Sequence, residues 1–497
     1  MKQIPKRDPW SILAWPADVV PVPLNESAMP IDTSLLTRYK GSERHFFFVA
    51  PKTSIIRPDL IHLLRPTLAE RPDVGIFYGD DAILGANGKV ATVYCKPAFN
   101  EALLLADDYI GFPLLIRASV LEKVHPTFGW RHRSAAWYRL CLAALNTGLS
   151  IDRIPHTLLA SPGLRPKADY SGRSSALRGH FAQANRPMRI APGRVADTVE
   201  IKRAFDAYPP VTLVISTRQS RPEEAKGAPS PPHIVALLNS LQHSTYPLSK
   251  IHVLIGDDEP DDTIYRGRRD VFSIRRINTA RPPGTPFNYA AKMNQLWRAA
   301  ETEAIVLMND DIVVRSPGWL EALLTFSLDR GVGGVGARLI FPTGRLQHAG
   351  MFGGIFGVVA HPWYNRPEAE PTYNGWALTQ RDCSVVTGAV FATRISAMRA
   401  VNGFDESFSL DFNDVDLCLK MRMVGYRIVY TPFAELIHHE RASRQENLAP
   451  GDQVARFLRR WRTAIQNDPA YSPHLRIDTD QIAPNDTATH WINALIE

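Results

Sequence analysis

VTLVISTRQSRPEEAKGAPSPPHIVALLNSLQHSTYPLSKIHVLIGDD, residues 211–258, reads as strand, helix, strand. Val211 to Thr217 is a short β-branched run, and HIVALLNSLQHS spaces its apolar residues as a helix does. Ile251 to Asp258 is a second apolar strand that ends in acids. Parallel strands joined by helices make an open α/β sheet, and such sheets bind ligands at their strand carboxyl ends. Asp257 and Asp258 stand at such an end, where a carboxylate can accept hydrogen bonds from a base or ribose. A solvated acidic loop, DDEPDD, competes with that reading.

The same alternation continues downstream. PFNYAAKMNQLWRAAETEAIVLMNDDIVV runs from helix into a buried strand that stops on Asn309-Asp310-Asp311. Adjacent acids at a strand end pack poorly but suit a hard divalent cation, which takes oxygen ligands and leaves positions open for phosphates. DESFSLDFNDVDLCLKMRMVGY then places Asp414 in the first turn of a helix carrying Leu417, Leu419, Met421 and Val424. There it could act as a general base or simply favour the helix N-terminus. Asp416 is expected to support the turn. TPFAELIHHERASR ends a strand in His438-His439, either of which could ligate metal. GVGGVG, residues 331–336, matches a dinucleotide-binding pattern literally, but it follows a helix and precedes a strand, so it is read as a turn.

Bulk composition narrows the classes. A chain of 497 residues suggests two or three domains, and 45% apolar with 22% charged residues is ordinary for globular proteins. No run reaches the roughly 18 apolar residues of a membrane span. Pro9, Pro16, Asp8 and Asp18 interrupt the basic, apolar N-terminus, so no signal peptide is expected. The four cysteines are scattered without a CxxC pair, which argues against a zinc site or disulfide framework. A net charge of +7 favours anionic partners. The basic residues are dispersed and no nucleic-acid motif is present, so nucleic acid is not expected.

The chain also repeats itself. SAAWYRLCLAALNTG, residues 134–148, carries the Leu-Cys-Leu of the Asp414 segment at a shift of 277 (417 − 140). The same shift carries Gly111 onto Gly388, Arg117 onto Arg394 and Pro155 onto Pro432. A second block, anchored on Pro58 and Pro317, gives a shift of 259 and lays Lys52 on Asp311. Trp137 then stands at the position of Asp414, Arg139 at Asp416 and Ser161 at His438. The first copy is thus expected to keep the fold without the chemistry.

Taken together, VTLVISTR, IGDDEPDD, PFNYAAKMN, LMNDDIVVRSPGWLEAL, PTGRLQHAGMF, VVTGAVFATR, GFDESFSLDFNDVDLCLKM and YTPFAELIHHERASR resemble, in order, a family 2 glycosyltransferase. The likeness is to the GT-A type that builds bacterial cell-surface polysaccharides, and NDPAYSPHL resembles the tail of such enzymes. The resemblance implies Asp414 as catalytic base, and nucleotide binding by Asp257, Thr217, Arg218 and Asp310. It implies Asp311 and His438 as ligands of Mg²⁺ or Mn²⁺, with His439 as the alternative histidine and Asp416 and His348 as supporting residues. Asn309, Asn413 and Ser216 depart from the family's pattern, which has acids at the first two positions and proline at the third.

The expected fold is therefore α/β: a GT-A open mixed sheet flanked by helices, preceded by a truncated GT-A-like domain. Expected boundaries are 1–205 for the degenerate copy, 206–445 for the catalytic domain and 446–497 for a helical extension. The expected reaction is inverting sugar transfer from a UDP- or dTDP-linked donor to a hydroxyl of a glycan or lipid-linked glycan. A cytoplasmic location is expected, with peripheral contact at the inner face of the cell membrane left open. Two alternatives stand beside it: a non-catalytic glycan-binding or scaffold subunit, and a sugar-phosphate nucleotidyltransferase.

Overall fold

A computed structural model describes residues 10, 13–24, 37–124, 135–163, 169–222, 230–268, 271–439 and 451–496. They divide into two compact units. One comprises Met1–Val199, Tyr471–Arg476 and Ala483–Glu497, the other Glu200–Ala470 and Ile477–Ile482. The expected extension 446–497 is therefore not a body of its own. Its helix Gly451–Gln466 buries Phe457, Trp461 and Ile465, spaced four apart along one stripe, as part of the second unit.

The second unit is built on a mixed sheet. Its strands run in the order Ser273–Asn278, Ile251–Asp257, Val211–Thr217, Ala304–Asn309, Val390–Arg394, Val332–Ile340, Arg427–His438 and Ile312–Val314. The first four are parallel to one another, and Val390–Arg394 lies antiparallel to both of its neighbours. VTLVI and AIVLM are buried throughout, as strands covered on both faces are. Register matters more here than composition. Thr217 pairs with Asp257 and Ser216 with Asn309, so three polar strand ends finish at one edge of the sheet.

GVGGVG is corrected by the structure: Val332–Ile340 is a fully buried strand, and only Gly331 lies outside it. Its glycines make room for neighbours. A Cβ at Gly334 would sit 2.1 Å from the Phe391 ring, and one at Gly336 would sit 2.5 Å from Val386. Glycine here answers close packing on the strand faces rather than a change of chain direction.

The first unit has its own sheet, in the order Val19–Leu24, Phe46–Pro51, Leu114–Arg117, Val74–Leu84, Ser150–Pro162 and Ile55–Ile56. Its pairings match those of the second unit at most positions, Asp80 with Thr157 against Arg338 with Glu435 being an exception. Phe46 faces Arg117 as Ala304 faces Arg394, and Ile56 faces Leu159 as Val314 faces Leu436. Phe77 faces Leu115 on one side and Asp152 on the other, as Val335 faces Ala392 and Val429. Register slips at Val74/Ile76 and Gly79/Asp80 in one sheet match those at Val332/Gly334 and Ala337/Arg338 in the other, and the first sheet has a further slip at Asp80/Asp81.

These pairs hold the shift of 277 (394 − 117) but set the other shift at 258 (304 − 46). The shift of 259 applies only at the starts of the following helices, Leu60 and Trp319 (319 − 60), and the strands beyond them, from Val74 and Val332, are again 258 apart (332 − 74). One residue more separates strand from helix in the second unit. Lys52 accordingly stands at the place of Asp310, not Asp311, and Thr53 takes the place of Asp311. Among the described residues, the first sheet has no strand beyond Val19–Leu24 to match Ile251–Asp257 or Ser273–Asn278.

Candidate active site

The polar strand ends of the second unit open into a cleft of about 500 Å³. Thr217, Arg218, Asp310, Asp311, Asp414 and His438 all line it, so six of the ten residues singled out in the sequence come together.

Asp311 and His438 face each other because Ile312 pairs with His438 across the sheet edge. His438 Nδ1 lies 2.7 Å from the Gln347 Oε1, which only accepts, so the ring proton belongs on Nδ1. Nε2 then presents its lone pair 3.1 Å from Asp311 Oδ1, a buried oxygen that has no hydrogen-bond partner. The Asn309 Nδ2 also lies 3.4 Å from this Nε2, and a cation beside the two acceptors would offset their mutual repulsion. The donor set, one carboxylate oxygen and one imidazole, suits Mg²⁺ or Mn²⁺. Among the described residues no group of three or more His, Cys, Asp or Glu side chains converges as a metal site. His439 turns elsewhere: its ring lies 5.6 Å from that of His233, while its backbone N–H donates to Asp311 O at 3.0 Å.

Asp310 is held apart from this pair. Its Oδ2 accepts from Thr217 Oγ1 at 2.5 Å, and burial pushes its carboxyl up to about 7. Asp414 stands at the start of helix Asn413–Met423 and lines the same cleft. Its Oδ2 accepts the Gly388 N–H at 2.8 Å and its Oδ1 the Val415 N–H at 2.8 Å. A Cβ on Gly388 would come within 3.2 Å of Asp414 Cβ, so that close approach depends on glycine.

Three residues fall away from the cleft surface. Asp257 is fully buried, with its Oδ2 taken by Gln219 Nε2 at 2.9 Å, Tyr265 OH at 2.7 Å and Arg276 Nε at 3.4 Å. Its neighbour Asp258 lines the cleft instead. His348 is also fully buried, its Nε2 accepting from Gly350 N–H at 3.2 Å and Thr387 N–H at 3.4 Å. It braces the Thr387–Gly388 backbone, and burial holds its imidazole well below the usual range. Asp416 lies beneath the helix rather than in the cleft.

Among the lining residues that carried no assignment in the sequence are Tyr289 and Lys292. They stand three apart on helix Tyr289–Arg298, within the motif PFNYAAKMN. Lys292 Nζ donates to Thr217 O at 2.9 Å and pairs with Asp258 Oδ1 at 2.8 Å, which brings a cation to a cleft of carboxylates. Burial lowers its pKa. The Tyr289 hydroxyl reaches Asn309 Oδ1 at 3.4 Å. A position in a motif without a charge pattern was the available signal.

The matching place in the first unit is filled differently. Asn309 N–H donates to Ala389 O at 3.0 Å, but Pro51, at the position of Asn309, has no N–H. The equivalent carbonyl, that of Phe112, accepts instead from Lys96 Nζ at 2.8 Å. The same ammonium donates to Gly79 O and Ile110 O at 2.6 Å each and pairs with Asp81 Oδ1 at 2.8 Å. A side-chain cation is thus built into that unit, 2% exposed.

Residues 209–464 match the model of the family described as glycosyltransferase-like family 2. An uncharacterized protein of Sinorhizobium fredii is 30% identical over 445 residues, covering 85% of this chain and 48% of that one. The O-antigen biosynthesis protein RfbC of Myxococcus xanthus is 26% identical, covering 82% of this chain and 32% of its own. An N-acetylglucosaminyl-diphospho-decaprenol L-rhamnosyltransferase of Mycobacterium tuberculosis is 26% identical over 236 residues, covering 42% of this chain and 72% of its own. The chain thus spans about half or less of the length of the first two.

Proposed function

The chain belongs to glycosyltransferase-like family 2, and on that premise we propose that its second unit transfers a sugar from a nucleotide diphosphate donor, with inversion, to an acceptor hydroxyl. The acceptor is a glycan or lipid-linked glycan of cell-surface polysaccharide, the class to which the relatives' names point. One observation carries the reading: a carboxylate pinned by a backbone N–H, Asp414, shares a single cleft with the Asp311–His438 pair.

In this mechanism Asp414 takes the proton of the acceptor hydroxyl. The acceptor oxygen bonds to the anomeric carbon as the bond from that carbon to the diphosphate oxygen breaks, and the electron pair leaves with the diphosphate. Lys292 and Arg218 supply positive charge along the donor's path. Asp311 and His438 would hold a divalent ion, which when bound neutralises charge on the departing phosphate oxygens. We read the donor as UDP- or dTDP-linked. The first unit is read as an incomplete copy of the same fold, a reading supported by the shared pairing register, by Lys52 and Thr53 at the acid positions, and by the built-in Lys96.

Thermal unfolding of the whole chain with UDP, dTDP, GDP and CDP, each with and without Mn²⁺, tests the reading. One diphosphate is expected to raise the midpoint only with metal, by the equivalent of about 2.7 kcal/mol at a hundredfold excess over its dissociation constant. No shift with any of the four would reject the donor site.

A further inference from the structure

We infer that helix Gly451–Gln466 is a clamp on the turn that bears Asp414, with Trp461 and Arg460 as its positioning residues. The inference rests on Asp414 being the base.

The turn is strained. Phe412, at the N-cap of the Asp414 helix, has φ 61° and ψ 4°, with no side-chain cap bond. A bulky residue in the left-handed region costs about 1–3 kcal/mol and persists only where the surroundings enforce it. The clamp helix supplies that enforcement at three points. Phe457 stacks on the Phe412 ring, with centroids 4.6 Å apart and planes 10° from parallel. Trp461 Nε1 donates to Asp416 Oδ1 at 2.9 Å, and Arg460 Nη1 stands 3.1 Å from the same oxygen. Arg460 also holds Asp405 Oδ2 at 2.7 Å, just ahead of the turn.

Asp416 is an expensive way to pack two helices. Its side chain is fully buried, burial raises its pKa, and an apolar residue of similar volume would serve packing as well. What the carboxylate adds is direction. It fixes the rotation of a helix whose first turn carries Asp414, two residues earlier. In the first unit, where Trp137 stands at the Asp414 position, the Asp416 position (416 − 139, the shift of 277) is Arg139, bonded to Ser175 Oγ at 2.9 Å. The acid is absent where the base is absent.

The competing explanation is a contact that stabilises the fold and nothing more. The two separate in steady-state kinetics of the full chain, using whichever UDP- or dTDP-sugar the parent protein turns over. Trp461→Phe keeps the ring and removes the N–H. It is expected to lower kcat about 10-fold by misplacing the base. The dissociation constant of the nucleoside diphosphate with Mn²⁺ should stay within about twofold. The acidic limb of the kcat–pH profile should also move. Arg460→Lys should recover most of what Arg460→Ala loses. A lowered melting temperature with parental kcat in both Trp461→Phe and Arg460→Ala would overturn the clamp while leaving the base in place, provided Asp414→Asn is inactive. Full turnover by Asp414→Asn would overturn the base and the clamp together.

Discussion

At the level of single residues, the site turns on which lone pairs are left over. Gln347 Oε1 lies 2.7 Å from His438 Nδ1, so Nε2 is turned to Asp311 Oδ1 at 3.1 Å and to the Asn309 amide at 3.4 Å. Asp414 is fixed by the Gly388 and Val415 N–H groups, and on the proposed mechanism it is the base. Asp414→Asn is accordingly expected to retain diphosphate binding and lose about 10²-fold or more in turnover, checked by paired titration and initial rates. In the first unit, burial raises the Asp80 carboxyl to about 6, and its Oδ2 has no hydrogen-bond partner. A folded pKa above the unfolded one means that the unfolded chain loses its proton first. Asp80 therefore costs stability increasingly from about pH 4 to pH 6, reaching about 3 kcal/mol. Asp80→Asn should raise the urea midpoint at pH 8 and leave it nearly unchanged at pH 4. Asp311, Asp310, Asp414 and His438, which line one cleft, were legible as acids and a histidine at strand ends and a helix start. Asp257 was legible as an acid, but not as one whose oxygens Gln219, Tyr265 and Arg276 already occupy.

Among elements, the two sheets show how one register serves two chemistries. The strand Ala304–Asn309 delivers Asn309, Asp310 and Asp311 to the cleft, while its counterpart Phe46–Pro51 delivers Pro51, Lys52 and Thr53. With proline there, a carbonyl would be left over, and Lys96 satisfies it. Lys96 and Asp81 are 2% and 4% exposed, so removing one partner strands the other in a low dielectric. Lys96→Met is expected to destabilise the first unit by about 3–5 kcal/mol, read from denaturant unfolding, while diphosphate binding by the second unit is unchanged. Strands Val211–Thr217 and Ile251–Asp257 and helix His233–Leu241 fell where their apolar residues placed them, whereas Val424 lies past the end of helix Asn413–Met423 and is exposed. The GVGGVG strand was not legible, because its glycines answer Phe391 and Val386, which arrive from a segment distant in the chain.

For the whole molecule, the question is how many donor sites one chain carries. The second sheet extends past Val211–Thr217 by two strands, and Asp258, just after Ile251–Asp257, lines the cleft. The described part of the first sheet stops at the equivalent edge. Calorimetric titration is therefore expected to find one nucleoside diphosphate per chain, and two would reject the incomplete-copy reading. The family, the α/β class, the duplicated phrase and the acids of the site followed from the sequence alone, since they depend on residue type and local spacing. So did the absence of a run long and apolar enough for a spanning helix, which holds for the described residues. Tertiary structure alone decided the shift of 258, the choice of His438 beside Asp311, the burial of Asp257 and the seating of Trp461 on Asp416. Each of these is a contact between segments far apart in the chain, set by strand register and side-chain packing, and no local pattern encodes it.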